Sequence, residues 1–300
     1  MHKEENILLK KQHFINKVMQ SIFLISGSVT VLIVVGMLVF LLKESIPVFA
    51  DVKISAFWAS ATWNPTGWKG EEYGVWGLLW GTIFVTLTTL ALSVPLGILT
   101  AVFMAEMAPP GLHRIVKPAV ELLAGIPSVV IGFFGLVFVA PMIAKVFHLS
   151  NGLSVLNGSL MLTIMVLPTI ISLSEDAISM VPQDYRLASL SLGASKLETI
   201  FKVVLPAASS GITAAIMLGM GRAIGETMAV LMACGNAPAL ATTLFSPVRT
   251  LTSTIAIEMG EVAYDTSAYY ALFNLGLYLF LISFIINNVA EYFFRKRIYE

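Results

Sequence analysis

Arg222 and Glu226 are the only charged residues between Lys202 and Arg249. They stand four apart in GRAIGETMAV, Gly221 to Val230, inside a strongly apolar stretch. On a helix that spacing puts both side chains on one face. Counted from Ser209 at 1.5 Å per residue, Arg222 lies roughly 20 Å along such a helix. A mid-helix arginine in a bilayer costs about 2.5–3.5 kcal/mol on insertion scales, so it faces a partner or a wet cavity. Two roles fit. The pair can be a structural ion pair tying helices together. Alternatively, Arg222 offers its planar donor fork to a passing oxyanion, with Glu226 orienting it and limiting how tightly it holds. The residues alone leave both open. Gly219, Gly221 and Gly225 surround the pair. Gly221 and Gly225 form a small-xxx-small pattern that admits close approach of a helix or a substrate.

Little else in the chain has catalytic potential. His2, His13, His113 and His148 are scattered through termini and loops, and with the single Cys234 they make no metal-ligand cluster. There is no HExxH, no GxSxG, no GxxxxGK[ST] and no Rossmann glycine fingerprint. No cofactor is expected on this chain; if ATP drives it, another chain binds the ATP and its Mg. Ser128, in GIPSVVIG, follows a proline at the head of an apolar run. It reads as a helix-start serine or as a contact to a permeating ligand.

The elements that must position these residues are membrane helices. Of 300 residues 57% are hydrophobic and 12% charged, against about 25% charged in a soluble domain. The mean hydropathy is +0.86. Uncharged runs such as Val18–Leu42, Val75–Ala105 and Leu122–Ala144 exceed the ~20 residues that cross a bilayer. An all-α integral membrane protein follows, with spans near 18–42, 75–104, 119–144, 157–174, 209–233 and 268–290. A segment 1–17 precedes the membrane domain 18–300. The first run is too long for a signal peptide and reads as a retained anchor. Lysines and arginines concentrate in the termini and in the 2–3 and 4–5 loops, among them Lys10, Lys11, Arg114, Lys117, Arg186 and Lys196. That bias places both termini in the cytoplasm. The formal net charge is zero, so global electrostatics identifies no partner, and no nucleic acid is expected.

Three loops stand out. The first outer segment, 43–74, is too short for a domain. Its Trp58, Trp63 and Trp68, with Trp76 just beyond, suit an interfacial belt or the docking of an outer partner. The outer segment 235–267 reads as re-entrant or surface-lying. The longest inner loop, about 175–208, carries an amphipathic pattern through Leu187, Leu190, Leu197, Ile200 and Val204. Gly193-Ala194 reads as a turn between two short helices, and Leu205-Pro206 as the end of the second.

YRLASLSLGASKLETIFKVVLPAA resembles the coupling loop of binding-protein-dependent ABC importer permeases, with Ala188, Ser189, Gly193, Ala194, Leu205 and Pro206 at the family's positions. Leu187 stands where the family has glutamate. GRAIGETMAV, LAGIPSVVIGFFGL and WNPT resemble a narrower group, the phosphate-specific Pst-type permeases, in the form of the PstC-like rather than the PstA-like subunit. The resemblance covers roughly 20–295. It implies a six-span MetI-like (type I) permease working by alternating access in the inner membrane, paired with a homologous PstA-like subunit. A homodimeric PstB-like ATPase would dock on the coupling loop, and a PstS-like binding protein would deliver inorganic phosphate from outside. It places Arg222 and Glu226 in the substrate path; Thr227 and Ser128 are grouped with them. Sulfate, molybdate or phosphonate as cargo, the sister PstA-like subunit, and a stand-alone secondary transporter are the alternatives.

Overall fold

The computed structural model describes residues 2–67 and 70–299, with side chains over 16–67 and 70–288. Trp68 and Lys69, and the side chains of the lysines before Asn16 and of Arg295 to Arg297, lie outside that range. In chain order the helices are α1 (His2–Ser45), α2 (Val48–Asp51), α3 (Ile54–Ala59), α4 (Trp76–Val102), α5 (Pro110–Ala124), α6 (Ser128–Phe134), α7 (Ala140–Val146) and α8 (Val155–Ser179). They continue with α9 (Gln183–Ser191), α10 (Lys196–Thr199), α11 (Leu205–Ala207), α12 (Ser209–Gly225), α13 (Met228–Ala233), α14 (Leu251–Glu258) and α15 (Ser267–Tyr299). Wide π turns extend α4 (Phe103–Met107), link α6 to α7 (Gly135–Val139) and link α10 to α11 (Ile200–Val204). Among the described residues five helices are long and apolar enough to cross a bilayer, and the count rises to six if α12 with the helical run Lys196–Ala207 before it, bent from it by 69°, is one broken span.

The centre of the bundle is α4, α8 and α12, brought together by small residues. A Cβ at Gly97 would lie 2.6 Å from Ile170 Cγ2. One at Gly219 would lie 2.9 Å from Val166 Cγ1 and 3.0 Å from Ile170 Cγ1. Glycine is required wherever helix backbones pass this close. The apolar part of α1 is unburied by the rest of the chain. It meets α15 near its end, where Phe40 and Phe273 pack edge-on.

The spans differ from the sequence expectation in three places. The fourth runs on to Ser179, so Glu175 and Asp176 are helical and the coupling segment starts later than 175. Lys117 on α5 explains this, donating to Glu175 at 2.7 Å and Asp176 at 3.0 Å. The third does not run unbroken from 119: α5 stops at Ala124 and α6 starts at Ser128, because Pro127 cannot continue the helix. The fifth, expected unbroken over 209–233, stops at Gly225 and restarts at Met228.

The segment between α1 and α4 is a folded lid. Trp63 and Phe57 are fully buried, with Val48, Val75, Leu78, Leu251 and Leu272. A two-residue hairpin, β1 (Trp63–Asn64) with β2 (Glu72–Tyr73), holds Trp63 in register opposite Tyr73. Trp63 is thus a core residue, not an interfacial anchor. Trp58 and Trp76 are half-exposed and pack edge-on at 5.3 Å. The segment after α13 is not surface-lying: Leu251, Thr252, Ser253 and Thr254 of α14 are all buried.

Candidate functional site

The break in span five creates the site. Glu226 has extended backbone (φ −70°, ψ 132°). Breaking a membrane helix frees backbone groups that water cannot satisfy. Here side chains take them. Thr252 donates its hydroxyl to the Glu226 carbonyl at 2.8 Å, and Glu226 Oε1 accepts the Ala229 N–H at 3.3 Å, capping α13. Glu226 therefore does not sit one helical turn above Arg222 on a shared face, and the two form no ion pair. Only a continuous helix would bring the two side chains onto one face. Arg222, in the last turn of α12, is half-buried and has no hydrogen-bond or ion-pair partner among the described residues.

The glycines divide into two roles. Gly219 packs against α8, whereas a Cβ at Gly221 or Gly225 would meet nothing within 4 Å. Among the described residues the small-xxx-small pair seats no helix; it leaves open surface beside Arg222. Depth follows from the packing: Ala223 clusters with Val166 and Ile170, midway along α8.

The break in span three lies at the same end of a parallel pair. Gly132 meets Ala229, and Gly135 meets Ala233, so α6 and α13 run side by side in the same direction. Their starts, Ser128 and Met228, share one end of the pair. Ser128 is the first residue of α6, and neither it nor Pro127 caps the helix through a side chain. Its hydroxyl has no partner among the described residues. Thr227 donates to the Gly225 carbonyl at 3.4 Å. Arg222, Glu226 and Thr227 thus share one break, and Ser128 opens the neighbouring half-helix.

Asn157 of α8 was missed by sequence reasoning. Its amide donates to the carbonyls of Gly135 (3.1 Å) and Ala233 (3.0 Å), tying α6 and α13 to α8. Its signal was an asparagine inside the apolar run VLNGSL.

The coupling segment folds as two short helices around Gly193, whose φ of +86° is left-handed and favours glycine. Ser195 and Glu198 form a capping box that starts α10. The second helical stretch ends at Ala207, one residue past Leu205-Pro206, and the chain bends there by 69° into α12. Ala188 and Gly193 are exposed at the tip, beside Leu187, Leu190 and Leu192, the last 89% exposed. Ser189 bonds Thr199 across the turn at 2.9 Å, and the Ala194 N–H donates to the Ser189 carbonyl. The tip is an apolar knob that includes exposed Leu187.

Arg186 anchors that knob. Its Nε (2.9 Å) and Nη2 (2.6 Å) both reach Glu106 Oε1, and it also donates to the carbonyls of Val181 and Ile178. The ends of spans two and four and the coupling helix meet at one guanidinium. Sequence reading counted Arg186 only as a loop charge.

Known proteins agree with this architecture. The family of binding-protein-dependent transport system inner membrane components matches residues 93–299. A probable ABC transporter permease of Bacillus subtilis (strain 168), YqgH, is 40% identical over 241 residues, spanning 80% of this chain and 78% of its own. The phosphate transport system permease PstC of Mesorhizobium japonicum is 37% identical over 258 residues, spanning 79% and 77%. Among solved structures, a chain of a bacterial alginate ABC transporter superposes with a TM-score of 0.61 at 14% identity, over 91% of this chain and 95% of that one. The inward-facing MetNI methionine ABC transporter gives 0.56 at 19% identity, over 75% and 94%; at these identities the likeness speaks for the fold alone. The chain belongs to the binding-protein-dependent transport system inner membrane components, as a multi-pass permease subunit of an ABC transporter rather than an enzyme.

Proposed function

We propose that this chain is the PstC-like half of an ATP-driven importer of inorganic phosphate in the cytoplasmic membrane, with both termini inside. A PstA-like subunit completes the path, and a homodimeric PstB-like ATPase, which binds the ATP and Mg, docks on the knob around Gly193. A PstS-like protein delivers phosphate from outside. The observation that carries the reading is Arg222: half-buried at mid-depth, without a partner among the described residues, on a face that Gly221 and Gly225 leave open. A guanidinium in that setting matches a tetrahedral oxyanion through parallel charge-assisted bonds. Ser128, at the start of the neighbouring α6, adds a hydroxyl donor, and Thr227 lies at the same break as Arg222. The site is weak by design, since a path must release what it admits.

The likeness to permeases named for phosphate transport supports phosphate over other oxyanions. Nucleotide-driven closure of the ATPase moves the knob, and Arg186 passes that motion to spans two and four, giving alternating access. In a reconstituted four-component complex, Arg222→Gln lowers phosphate uptake roughly 10- to 100-fold, the worth of one or two charged hydrogen bonds. Assembly on gel filtration stays normal. Full uptake by a less stable Arg222→Gln complex would make the arginine structural. ATPase stimulation by a sulfate-loaded but not a phosphate-loaded binding protein would change the cargo.

A further inference from the structure

The break in span five joins two bodies held by different bonds. On one side α12 continues from the coupling segment and packs on α8 through Gly211 and Gly219. On the other, the six-residue α13 is held at its start by α14, and towards its end by Asn236 and by Asn157 of α8, whose amide donates to the Ala233 carbonyl at 3.0 Å. At its start, Thr252 holds the Glu226 carbonyl at 2.8 Å. Towards its end, the Leu231 carbonyl accepts Asn236 Nδ2 at 2.7 Å. The Asn236 carbonyl accepts Arg249 Nε at 3.1 Å, and Arg249 Nη1 reaches Glu258 Oε1 at 3.0 Å. Trp63 Nε1 closes the series on Glu258 Oε2 at 2.8 Å. An unbroken relay therefore runs from the lid hairpin, along the length of α14, to α13. The N–H of Leu251, at the start of α14, donates to Thr82 Oγ1 of α4 at 3.1 Å. The Arg249 and Glu258 side chains are only 18% and 16% exposed, so their bond is little weakened by water.

We propose that α13, α14 and the lid hairpin form one rigid unit hinged to α12 at Glu226-Thr227, with Thr252, Arg249, Glu258 and Trp63 as its positioning residues. They set where the Glu226 carboxylate and Thr227 stand relative to Arg222. A displacement of the lid is carried to the break as a rigid movement, because each link is a hydrogen bond and no flexible loop intervenes between Trp63 and Thr252. The inference rests on the reading of the break as the anion path. It adds to that reading a connection between the site and the surface available to a binding protein.

Cys234, the sole cysteine, is a built-in reporter. It is fully buried just beyond α13, and its carbonyl accepts the Val248 N–H at 2.9 Å, two residues before the cap of α14. The test uses the assembled complex with ATPase, sister subunit and phosphate-loaded binding protein. Labelling of Cys234 by N-ethylmaleimide is measured beside phosphate uptake at varied binding-protein concentration. Thr252→Val and Trp63→Phe should each speed labelling about tenfold, the factor expected on losing one buried hydrogen bond. Each should lower the maximal uptake rate several-fold with the half-saturating binding-protein concentration unchanged, since Trp63 is buried and cannot itself be a docking contact. Thr252→Ser, which keeps the hydroxyl, should restore both readouts even if Trp63→Phe fails to assemble. Unchanged labelling in Thr252→Val would overturn the rigid unit. Faster labelling with wild-type uptake would reduce the relay to a structural role and overturn the positioning. Full uptake by Arg222→Gln would instead remove the anion-path reading and leave the labelling result standing.

Discussion

Replacing Arg186 tests how the knob is joined to the membrane spans. Arg186 and Glu106 are 14% and 9% exposed, so the pair is largely desolvated. Arg186→Ala strands the Glu106 carboxylate and also frees the carbonyls of Ile178 and Val181. Removing one partner of a buried pair costs about 3–5 kcal/mol, most of it the burial of the charge left behind. For a chain of this size that lowers the thermal midpoint by roughly 5–8 °C. Replacing both partners by apolar residues of similar volume, Arg186→Met with Glu106→Leu, removes the stranded charge and should recover most of the loss. The two carbonyls stay unpaired, so about 1–2 kcal/mol remains lost. Function separates from stability in the double variant. It folds, but the coupling helix is no longer pinned to span two, so ATP hydrolysis should persist while phosphate moved per ATP falls. Differential scanning fluorimetry of the purified complex gives the first quantity and parallel ATPase and uptake assays the second. Equal midpoints for single and double variants would refute the electrostatic argument. Wild-type coupling in the double variant would refute the mechanical one.

Two further outcomes follow from local geometry. Asn157→Leu removes two donors, but the Ala233 carbonyl keeps the Ser154 N–H and the Gly135 carbonyl keeps its π-turn partner. The cost should therefore be only about 1 kcal/mol, a midpoint shift of roughly 1–2 °C; a loss above about 3 kcal/mol would show that the amide does more than join helices. In the coupling segment, the Ser195 N–H and hydroxyl, with Lys202, hold the Glu198 carboxyl down at about 2, from an ordinary 4.5. A lowered folded value gives stability that is complete above the ordinary one and disappears as pH falls through the folded one. Amide exchange at Ser195 to Glu198, corrected for intrinsic rates, should stay flat down to about pH 4.5 and rise towards pH 2. Loosening at about pH 6 would contradict the capping box.

The spans were legible because a bilayer imposes a length and a composition, and Val18–Leu42 or Val75–Ala105 cannot be read otherwise. The turn at Gly193 was legible because glycine between two amphipathic runs has few other uses. The break at Glu226 was not. Apolar sequence defaults to unbroken helix, since the helix satisfies its own backbone. What permits the break is Thr252, 26 residues away, which no local pattern exposes. The one local trace is Gly225 and Thr227 flanking Glu226, a helix-stop residue and a helix-start residue with no proline to mark them. The same break changes what Arg222 means. On a continuous helix Glu226 would have been its counter-charge, and a structural ion pair would have explained both residues. With the helix broken, the Glu226 carboxylate serves the Ala229 N–H, and Arg222 has no counter-charge among the described residues. A guanidinium does not remain unanswered at that depth. Its partner comes from beyond the described residues, and that need is what the proposed anion site would use.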